Sequence, residues 1–498
     1  MSRLFRTKDI DKLLAGARDP ARRLQKTLGP WSLTALGVGA VIGAGIFVLT
    51  GTAAAGEVRH IESILHAPLL DLLLQGTAAA STLGRPGAGP GITLSFVLVA
   101  IACGFAALCY AELASMIPVA GSAYTYAYAT MGEIIAWIIG WDLILEYAVG
   151  NMAVAVGFSA YFNDILHVLF GVELPTYLSS PVIAGGQYTG AWFNFPPFLI
   201  LMLLTVLLVR GIRESAGANN VMVIIKILAI VVFAVFAAPA VKMENWHPFM
   251  PNGFSGVLTG AAIVFFAYIG FDSVSTAAEE CRNPQRDLPI GIVSSLIVCT
   301  IMYMSVALVL TGIANWKTLN NAAPVANALR TLGFDGVRKW VDIGAIAGLL
   351  SVLLVFQYGQ ARVWFAMSRD RLLPDVFSKV HPRYQTPHVS TWIAGLFVGI
   401  PAGIWDIGTL ADLTNIGTLF AFIIVSAGVI VLRRAQPERP RSFRVPWVPL
   451  LPAISIVSCL VLMTSLPLET WIRFVVWLAL GLAVYFLYSR RRTAGLAD

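Results

Sequence analysis

Charged residues inside apolar runs are the first sign of chemistry in this chain. Lys226 lies in the run Val-Ile-Ile-Lys-Ile-Leu-Ala-Ile, and Glu146 lies in Leu-Ile-Leu-Glu-Tyr-Ala-Val, with Asp142 one helical turn earlier. A lysine at the centre of a membrane helix costs about 2.5–3.5 kcal/mol on insertion scales, so we expect Lys226 to face a partner or a cavity. Because a buried lysine can gain and lose a proton near neutral pH, Lys226 is a candidate proton site. Either acid could pair with Lys226 or with the amine of a ligand, and the alternative is that Lys226 snorkels to a surface.

Two apolar segments are interrupted by residues that weaken a helix, namely Gly37-Val-Gly-Ala-Val-Ile-Gly-Ala-Gly-Ile-Phe47 and Phe265-Phe-Ala-Tyr-Ile-Gly-Phe-Asp272. An unwound helix presents N–H groups that attract an anion and C=O groups that accept hydrogen bonds from an ammonium group. Two such breaks facing each other would bind both ends of an α-amino acid. The predicted contacts are the backbone from Val41 to Ile46 for the carboxylate, with small residues at Gly43, Ala44 and Gly45, and the carbonyls from Phe266 to Ile269 for the amine.

The alternative for the first segment is that Gly39-x-x-x-Gly43 only lets two helices pack closely. Unwound backbone in a membrane is tolerated where it is buried in protein or lines a cavity. Two interruptions in matching places of two halves are typical of the binding site of a carrier. Asp272 ends the second segment, either as a helix cap or as a charge partner.

Composition predicts the elements that must position these residues. The chain is 57% hydrophobic and 12% charged, with a mean hydropathy of +0.77, as in polytopic membrane proteins. We predict an all-α integral membrane protein with about twelve spans of about 20 residues, in which Lys226 would hold the first span against the eighth as a bound sodium ion would. The spans fall near 31–51, 90–113, 133–163, 195–211, 219–240, 254–277, 289–312, 340–367, 389–405, 411–432, 447–466 and 471–488.

The distribution of basic residues predicts the orientation. With Met1 inside, the inner segments carry about three times as many Lys and Arg residues as the outer segments, which agrees with the positive-inside rule. Both termini are therefore predicted to be cytoplasmic, in a multi-pass protein of the cytoplasmic membrane. The net charge of +7 then reflects topology and contact with membrane lipids, and it does not indicate nucleic-acid binding.

The spans predict an order of units along the chain. Residues 31–240 would form a five-helix repeat, with an external insertion at 56–89, and residues 254–432 a second, inverted five-helix repeat. The peripheral parts would be a basic amphipathic segment at 1–30, two helices at 447–488 and a cytoplasmic tail at 489–498. Within these parts, residues 3–26 would form an interfacial helix or a solvated tail, and Glu57–Gln75 and residues 323–333 external helices, the latter as a lid.

Further charged residues stand near the predicted inner side. Glu112, in Cys-Tyr-Ala-Glu-Leu, would form an interfacial ion pair or take part in transport. Arg362, in Tyr-Gly-Gln-Ala-Arg-Val, is predicted to be a gate or a positive-inside anchor. The polar loop at 279–289 reads as an inner gate or hinge.

Several classes of function find no support in the sequence. No G-x-x-x-x-G-K-[ST] loop occurs, so coupling to ATP is not expected. Five cysteines without C-x-x-C pairing predict buried thiols rather than a metal site or a disulfide framework. No cofactor is predicted, and no acid–base constellation at one face favours an enzyme.

Four motifs resemble the cationic amino acid transporter family of the amino acid–polyamine–organocation superfamily. They are Leu36–Gly51, Cys109-Tyr-Ala-Glu-Leu-Ala-Ser, Pro118-Val-Ala-Gly-Ser-Ala-Tyr-Thr-Tyr-Ala-Tyr128, and Phe271-Asp with Glu279-Glu-x-Arg-Asn-Pro-Gln-x-x-x-Pro-Ile-Gly-Ile292. The resemblance implies a LeuT-type five-plus-five inverted repeat, with discontinuous first and sixth helices, and alternating access. It also implies substrate contacts at Val41, Ala44, Gly45, Phe266 and Ile269.

The resemblance further implies that Lys226 couples transport to protons, and that Glu146 and Glu112 match acidic positions that matter in related carriers. Two features depart from the family pattern. The 56–89 insertion is long, and the wall of the pocket on the eighth span is Phe356, with Gln357 beside it. A bulky apolar wall leaves little room for a guanidinium, which favours a small or mid-sized neutral L-amino acid.

The sequence therefore predicts a proton-coupled amino acid symporter. The rivals are an exchanger of cationic amino acids or polyamines and a ligand-sensing, transporter-like receptor. Neither the substrate, the stoichiometry, the oligomeric state nor an accessory subunit follows from the sequence.

Overall fold

A computed structural model describes residues 3–16, 24–57, 65, 67–76, 85–184, 187–321, 323–405 and 407–493. Within these ranges the chain is a bundle of long α-helices, which are built mainly from apolar residues. Among the described residues, nine helical spans are long and apolar enough to cross a membrane, and three shorter apolar helices lie between them. Each of the twelve predicted spans coincides with one of these, so the prediction of a helical membrane protein is confirmed.

The helices of the first half, in chain order, are α1 (Ile10–Gly16), α2 (Pro30–Val41), α3 (Thr50–Ala55), α4 (Leu69–Gln75), α5 (Ile92–Met116), α6 (Ala123–Thr130), α7 (Glu133–Phe170), α8 (Thr176–Ser179), α9 (Phe195–Arg210) and α10 (Ile212–Ala237). The helices of the second half are α11 (Gly253–Val264), α12 (Pro284–Ile313), α13 (Pro324–Thr331), α14 (Asp335–Arg369), α15 (His388–Ala402), α16 (Ile407–Ala435), α17 (Leu450–Thr464), α18 (Leu468–Val484) and α19 (Arg490–Thr493). Two short antiparallel strand pairs are also present, β1 (Gly56–Glu57) with β2 (Arg85–Pro86) and β3 (Ile183–Ala184) with β4 (Gln187–Tyr188).

The first membrane span is broken between α2 and α3. Helix α2 ends at Val41 because Ile42 adopts an extended conformation, with ψ of 102°. A π-helical turn then runs over Gly45–Leu49 and leads directly into α3. The predicted interruption of this span is therefore present.

The second broken span consists of α11 and a long 3₁₀ segment. A 3₁₀ turn over Phe265–Tyr268 follows α11, and Ile269 is extended, with ψ of 134°. Gly270 has φ of +116°, a conformation that residues with a side chain rarely adopt. The chain then continues as a 3₁₀ helix over Phe271–Glu280, so the second predicted interruption is also present.

Helix α10 separates lipid-facing residues from the interior of the bundle. Ile224, Leu228 and Val235 are exposed on one side, as expected of a surface that faces hydrocarbon. Its other side packs against α2 and α14, and Lys226 on that side is fully buried. The lysine therefore does not snorkel to a surface.

The two terminal segments lie on the same side of the bundle, which we call the inner side. Lys8 forms an ion pair with Asp370 just after α14, and Ser489 donates a hydrogen bond to the carbonyl of Leu372. The predicted helix over 3–26 is shorter in the structure, where it consists of a 3₁₀ turn at Arg3–Phe5 and α1. Its residues 17–23 lie outside the described residues, as do 494–498 of the predicted tail.

The external segments are only partly as predicted. In place of one helix over Glu57–Gln75, the structure has β1 and the short helix α4, while 58–64, 66 and 77–84 lie outside the described residues. Helix α4 is held to the α17–α18 turn, because the Leu69 N–H donates to the carbonyl of Leu466. The predicted helix at 323–333 corresponds to α13.

Candidate functional site

The two broken spans touch each other in the middle of the bundle. A Cβ on Gly45 would overlap the Cα and Cβ of Ala267, and a Cβ on Gly270 would lie 2.6 Å from the Cβ of Ala40. Both positions therefore need glycine, because larger residues would push the two backbones apart. The hydroxyl of Tyr303 on α12 lies 2.6 Å from the carbonyl oxygen of Val41 and 2.7 Å from that of Ala267. It joins the two breaks directly.

The first break leaves a row of backbone donors. No carbonyl of this span accepts from the N–H groups of Gly43, Ala44, Gly45 or Ile46. All four residues are buried, and buried N–H groups are rarely left without an acceptor. They stand at the start of the helical turns that lead into α3, where the helix dipole favours an anion.

Most backbone carbonyls at the breaks are already engaged. The carbonyl of Phe266 accepts from the Ile269 N–H at 3.3 Å, and that of Ala267 accepts from Tyr303 at 2.7 Å. The carbonyl of Ile269 accepts from none of the described residues. Of the carbonyls predicted to face an amine, those of Tyr268 and Ile269 therefore accept from none of the described residues.

Lys226 reaches from α10 into the first break. Its Nζ donates to the carbonyl oxygens of Gly39 at 2.9 Å and Ile42 at 2.8 Å. A third contact, at 3.4 Å, joins Nζ to the hydroxyl of Ser351 on α14. The three hydrogens of one ammonium group therefore hold the first broken span against the helix of the eighth span.

Glu146 and Asp142 lie elsewhere, which makes a pairing of either acid with Lys226 wrong. Both project from α7, and a Cβ on Gly417 of α16 would lie 2.7 Å from Asp142 Oδ1. Within the described part of the chain, no carboxylate oxygen of Asp142 or Glu146 has a hydrogen-bond partner. The physical reason is the packing, because α7 faces α16 here while Lys226 lies between α2 and α14.

Asp272 lies close to the two acids of α7. Its carboxylate accepts from the hydroxyl of Tyr147, the residue that follows Glu146, at 3.1 Å. Asp272 lies in the first turn of the 3₁₀ segment, whereas the capping position is Gly270. It is therefore neither the cap residue nor, among the described residues, part of an ion pair.

Phe356 on α14 lies between α7 and the second break. A Cβ on Gly150 would lie 2.8 Å from its ring and a Cβ on Gly270 3.1 Å. The ring also contacts that of Tyr147 edge-on, at 5.8 Å between centroids. The structure therefore places this large apolar side chain against the broken spans.

The inner side is closed by two ion pairs between the second broken span and α14. Arg362 Nη2 lies 2.8 Å from Glu280 Oε1, and both side chains are 1% exposed. Arg369 binds the carboxylate of Glu279 through both terminal nitrogens, at 2.8 and 3.2 Å. The segment before α2 covers these pairs, since the carbonyl of Glu280 accepts from the Leu28 N–H at 3.0 Å.

The outer side is closed by the segment around α13. A Cβ on Gly51 would overlap the carbonyl of Leu319, so this loop lies directly on the end of α3. Asn320 contacts the Thr52 hydroxyl and the Gly56 carbonyl, both at 3.2 Å. The region between the breaks is therefore buried from both sides of the bundle.

Glu112 belongs to an ion-pair cluster away from the breaks. Its carboxylate binds Arg433 at 2.7 and 2.8 Å and Arg441 at 3.2 Å, and it accepts from the Val445 N–H at 2.7 Å. It fastens α5 to the loop that follows α16. Of the two interpretations of Glu112, the ion pair is the one whose contacts the structure contains.

Several polar residues at the breaks were not predicted from the sequence. Tyr303, Ser351 and Asn219 are buried and contact the first span or Lys226. A signal for Asn219 existed, because it precedes Lys226 by seven residues and so lies on the same face of the helix. Glu280 lay in the polar loop but was not singled out as the partner of Arg362.

Two broken spans that meet inside a bundle of apolar helices, with buried backbone donors at their junction, define a membrane transporter rather than an enzyme. Residues 28–485 match the family described as Amino acid permease. The chain therefore belongs to the amino acid permease family.

Full-length relatives agree with this assignment. The branched-chain amino acid permease BcaP of Bacillus subtilis (strain 168) is 48% identical over 492 residues, or 98% of each chain. The methylthioribose transporter of the same organism is 46% identical over 493 residues, or 99% of each. Cationic amino acid transporter 9, chloroplastic, of Arabidopsis thaliana is 35% identical, covering 94% of this chain and 88% of its own.

Proposed function

We propose that this protein is a proton-coupled transporter that takes up neutral L-amino acids by alternating access across the cytoplasmic membrane, with both termini inside. The observation that carries the proposal is the row of buried N–H groups from Gly43 to Ile46, which have no backbone acceptor among the described residues. A carboxylate at this helix start would satisfy several donors at once. The free carbonyl of Ile269 across the break is proposed to accept from the amine.

Proton coupling is proposed for Lys226. The charged ammonium uses all three hydrogens in holding the first span against α14, at Gly39, Ile42 and Ser351. Hydrogen bonds from a charged donor are about twice as strong as neutral ones. Loss of the proton would therefore weaken this attachment and favour movement of the inner half of the first span.

Glu146 is proposed as a second proton carrier. It lies near two further carboxylates, Asp142 and Asp272, and none of the three forms an ion pair within the described ranges. An ionised carboxylate without a cationic partner is costly to bury. A proton on Glu146 would remove that cost while the inner and outer sides are closed.

The substrate class is inferred from Phe356. Its ring lies against Gly150 and Gly270 beside the breaks, so an apolar side chain fits this wall better than a guanidinium. A relative that is 48% identical is named a branched-chain amino acid permease, which supports the same class. We therefore propose alanine, valine, leucine and isoleucine as first substrates to test.

Uptake into proteoliposomes tests the proposal. Labelled leucine, alanine, arginine and methylthioribose are offered with and without an inward proton gradient. Gradient-driven accumulation of leucine or alanine, faster than that of arginine, is the expected result. Exchange that needs internal substrate and ignores the gradient would instead indicate an exchanger, and binding without flux a sensor. Transport of methylthioribose alone would refute the amino acid class.

Lys226→Met tests the coupling residue. The variant should bind leucine, as measured by a ligand-induced thermal shift, but it should not accumulate leucine against a gradient. Because methionine has a similar length and no proton, packing is largely kept. Full concentrative uptake by Lys226→Met would contradict the role of this lysine.

A further inference from the structure

Lys226 is the first member of a buried chain of hydrogen bonds that reaches a second point on the first span. The Ser351 hydroxyl donates to Asn219 Oδ1 at 2.7 Å. Asn219 Nδ2 then donates to the carbonyl oxygen of Ala35 at 3.0 Å. Lys226 and Ser351 are fully buried, and Asn219 is 1% exposed. Ala35 precedes Ile42 by seven residues, or about 10 Å along a helix.

The direction of this chain is fixed from its far end. A backbone carbonyl can only accept, so the side-chain atom of Asn219 that faces Ala35 must be the NH₂ group. The other atom, which faces Ser351, is therefore the oxygen, and Ser351 must donate its single hydrogen to it. The lone pairs of Ser351 are thus left to accept from Lys226.

This direction suits only the charged form of Lys226. A neutral amine keeps two hydrogens, enough for the nearer carbonyls of Gly39 and Ile42, but it turns a lone pair toward Ser351. The lone pairs of the two groups then repel each other unless Ser351 rotates its hydrogen to Lys226. That rotation leaves Asn219 Oδ1 without a donor, which is unfavourable for a buried group.

Rotation of the amide of Asn219 does not restore the chain. It would offer an N–H to Ser351 but would place Oδ1 against the carbonyl oxygen of Ala35, where two acceptors repel. One hydrogen bond is therefore lost somewhere between Ser351 and Ala35 whenever Lys226 is neutral. Either loss affects the side chain of Asn219, which binds the inner half of α2 at Ala35, away from the direct contacts of the lysine.

We propose that Asn219 is a positioning residue which, through Ser351, makes the attachment of the inner half of the first span at Ala35 depend on the charge of Lys226. The inference rests on the proposed proton role of Lys226 and adds a second site of release to it. It also gives a reason for Gly39, since a Cβ there would lie against both Ser351 and Asn219.

Few other charged groups lie near this chain of hydrogen bonds. The helices packed against α10 are α2, α9, α12 and α14. Helix α9 carries its charge at its last residue, Arg210, and α12 carries Arg286 and Asp287 in its first turn and the buried thiol of Cys299 further along. α2 has no titratable residue, and the charged residues of α14 lie in its end segments, at 335–342 and 362–369.

Hydrogen–deuterium exchange of the full-length protein tests the inference. Amide protection is measured at pH 6 and pH 9, after correction for intrinsic exchange, in peptides covering 31–38 and 39–46. In the wild type, protection of 31–38 should fall about three- to tenfold at the higher pH, the factor expected for one buried hydrogen bond. Asn219→Ala and Ser351→Ala should abolish this pH dependence in 31–38 but keep it in 39–46.

Asn220→Ala is the matched control, because the Oδ1 atom of Asn220 has no hydrogen-bond partner in the described part of the chain. It should behave as the wild type. A purely structural role would lower protection in Asn219→Ala by the same factor at both pH values and leave the ratio unchanged, which would overturn the inference. Retained pH dependence of 31–38 in Ser351→Ala, which keeps the Asn219–Ala35 bond, would overturn it independently, as would a wild type without pH dependence there.

Uptake in the same preparation separates this inference from the proposed function. Uptake that ignores a proton gradient, together with the expected exchange pattern, would refute proton-coupled transport while the link through Asn219 stands. Gradient-driven uptake with an unchanged exchange pattern in Ser351→Ala would refute only the link.

Discussion

A methyl group added at Gly45 tests whether the two breaks must touch. A Cβ at residue 45 would overlap the Cα and Cβ of Ala267, and backbone atoms cannot rotate away as a side chain can. Overpacking of this kind costs about 1–3 kcal/mol, which corresponds to about a 5- to 150-fold change in a binding equilibrium. We expect Gly45→Ala to weaken leucine binding within that range, because the ligand needs both breaks at a fixed separation.

Binding constants from a scintillation proximity assay, with melting temperatures of the same samples, measure this effect. Gly104→Ala is the control, since the nearest atom to a Cβ there is 4.0 Å away and alanine is the better helix former by about 1 kcal/mol. It should bind as the wild type and melt no earlier. Ala267→Gly in the Gly45→Ala background removes one of the two overlaps and should restore part of the affinity. Wild-type affinity and stability of Gly45→Ala alone would refute the contact between the breaks.

Three further predictions concern the inner side and the periphery. Glu280→Gln removes one partner of the buried pair with Arg362, at a cost of about 3–5 kcal/mol, and should open the inner side. Faster maleimide labelling of Cys281 would report this opening. The control is Glu173→Gln, in an exposed pair with a histidine, which should leave the labelling rate unchanged. In the wild type, burial raises the pKa of Cys281 from 9.0 to about 11. Because the thiolate is the reactive form, labelling of Cys281 at pH 7 should be about a hundredfold slower than that of an exposed thiol, and it should become faster during turnover. Equal labelling rates for Cys281 and an exposed thiol would show that the inner side is not closed. Glu112→Ala leaves two arginines without their shared carboxylate. It should lower the melting temperature without changing the affinity for leucine. A change in that affinity would instead place Glu112 in the transport step.

The elements of this fold were predictable where they depend on local sequence. Glycines at 37–45 and the Ile-Gly pair at 269–270 weaken a helix wherever it packs, so both breaks followed from the residues alone. Lys226 was also recognisable, because a charge in an apolar run needs a partner whatever the fold is. The spans followed from hydropathy for the same reason.

The partners of these residues depend on which helices are neighbours, and the sequence does not contain that directly. Glu146 and Lys226 read as a pair by charge, yet packing places them between different helices. Tyr303 looked like an ordinary residue of an apolar span until the carbonyl oxygens of Val41 and Ala267 were found beside its hydroxyl. The sequence could suggest that such groups need partners, but only the packing selects them.

The hydroxyl of Tyr303 has one hydrogen and two carbonyl oxygens within reach. At any moment it can bond to one broken span while it merely rests against the other. Turning the hydrogen from Val41 to Ala267 exchanges one bond for an equivalent one, so the choice between the two spans is nearly free of cost. A rocking motion that parts the breaks can therefore begin with a single bond rotation, before any backbone atom has moved.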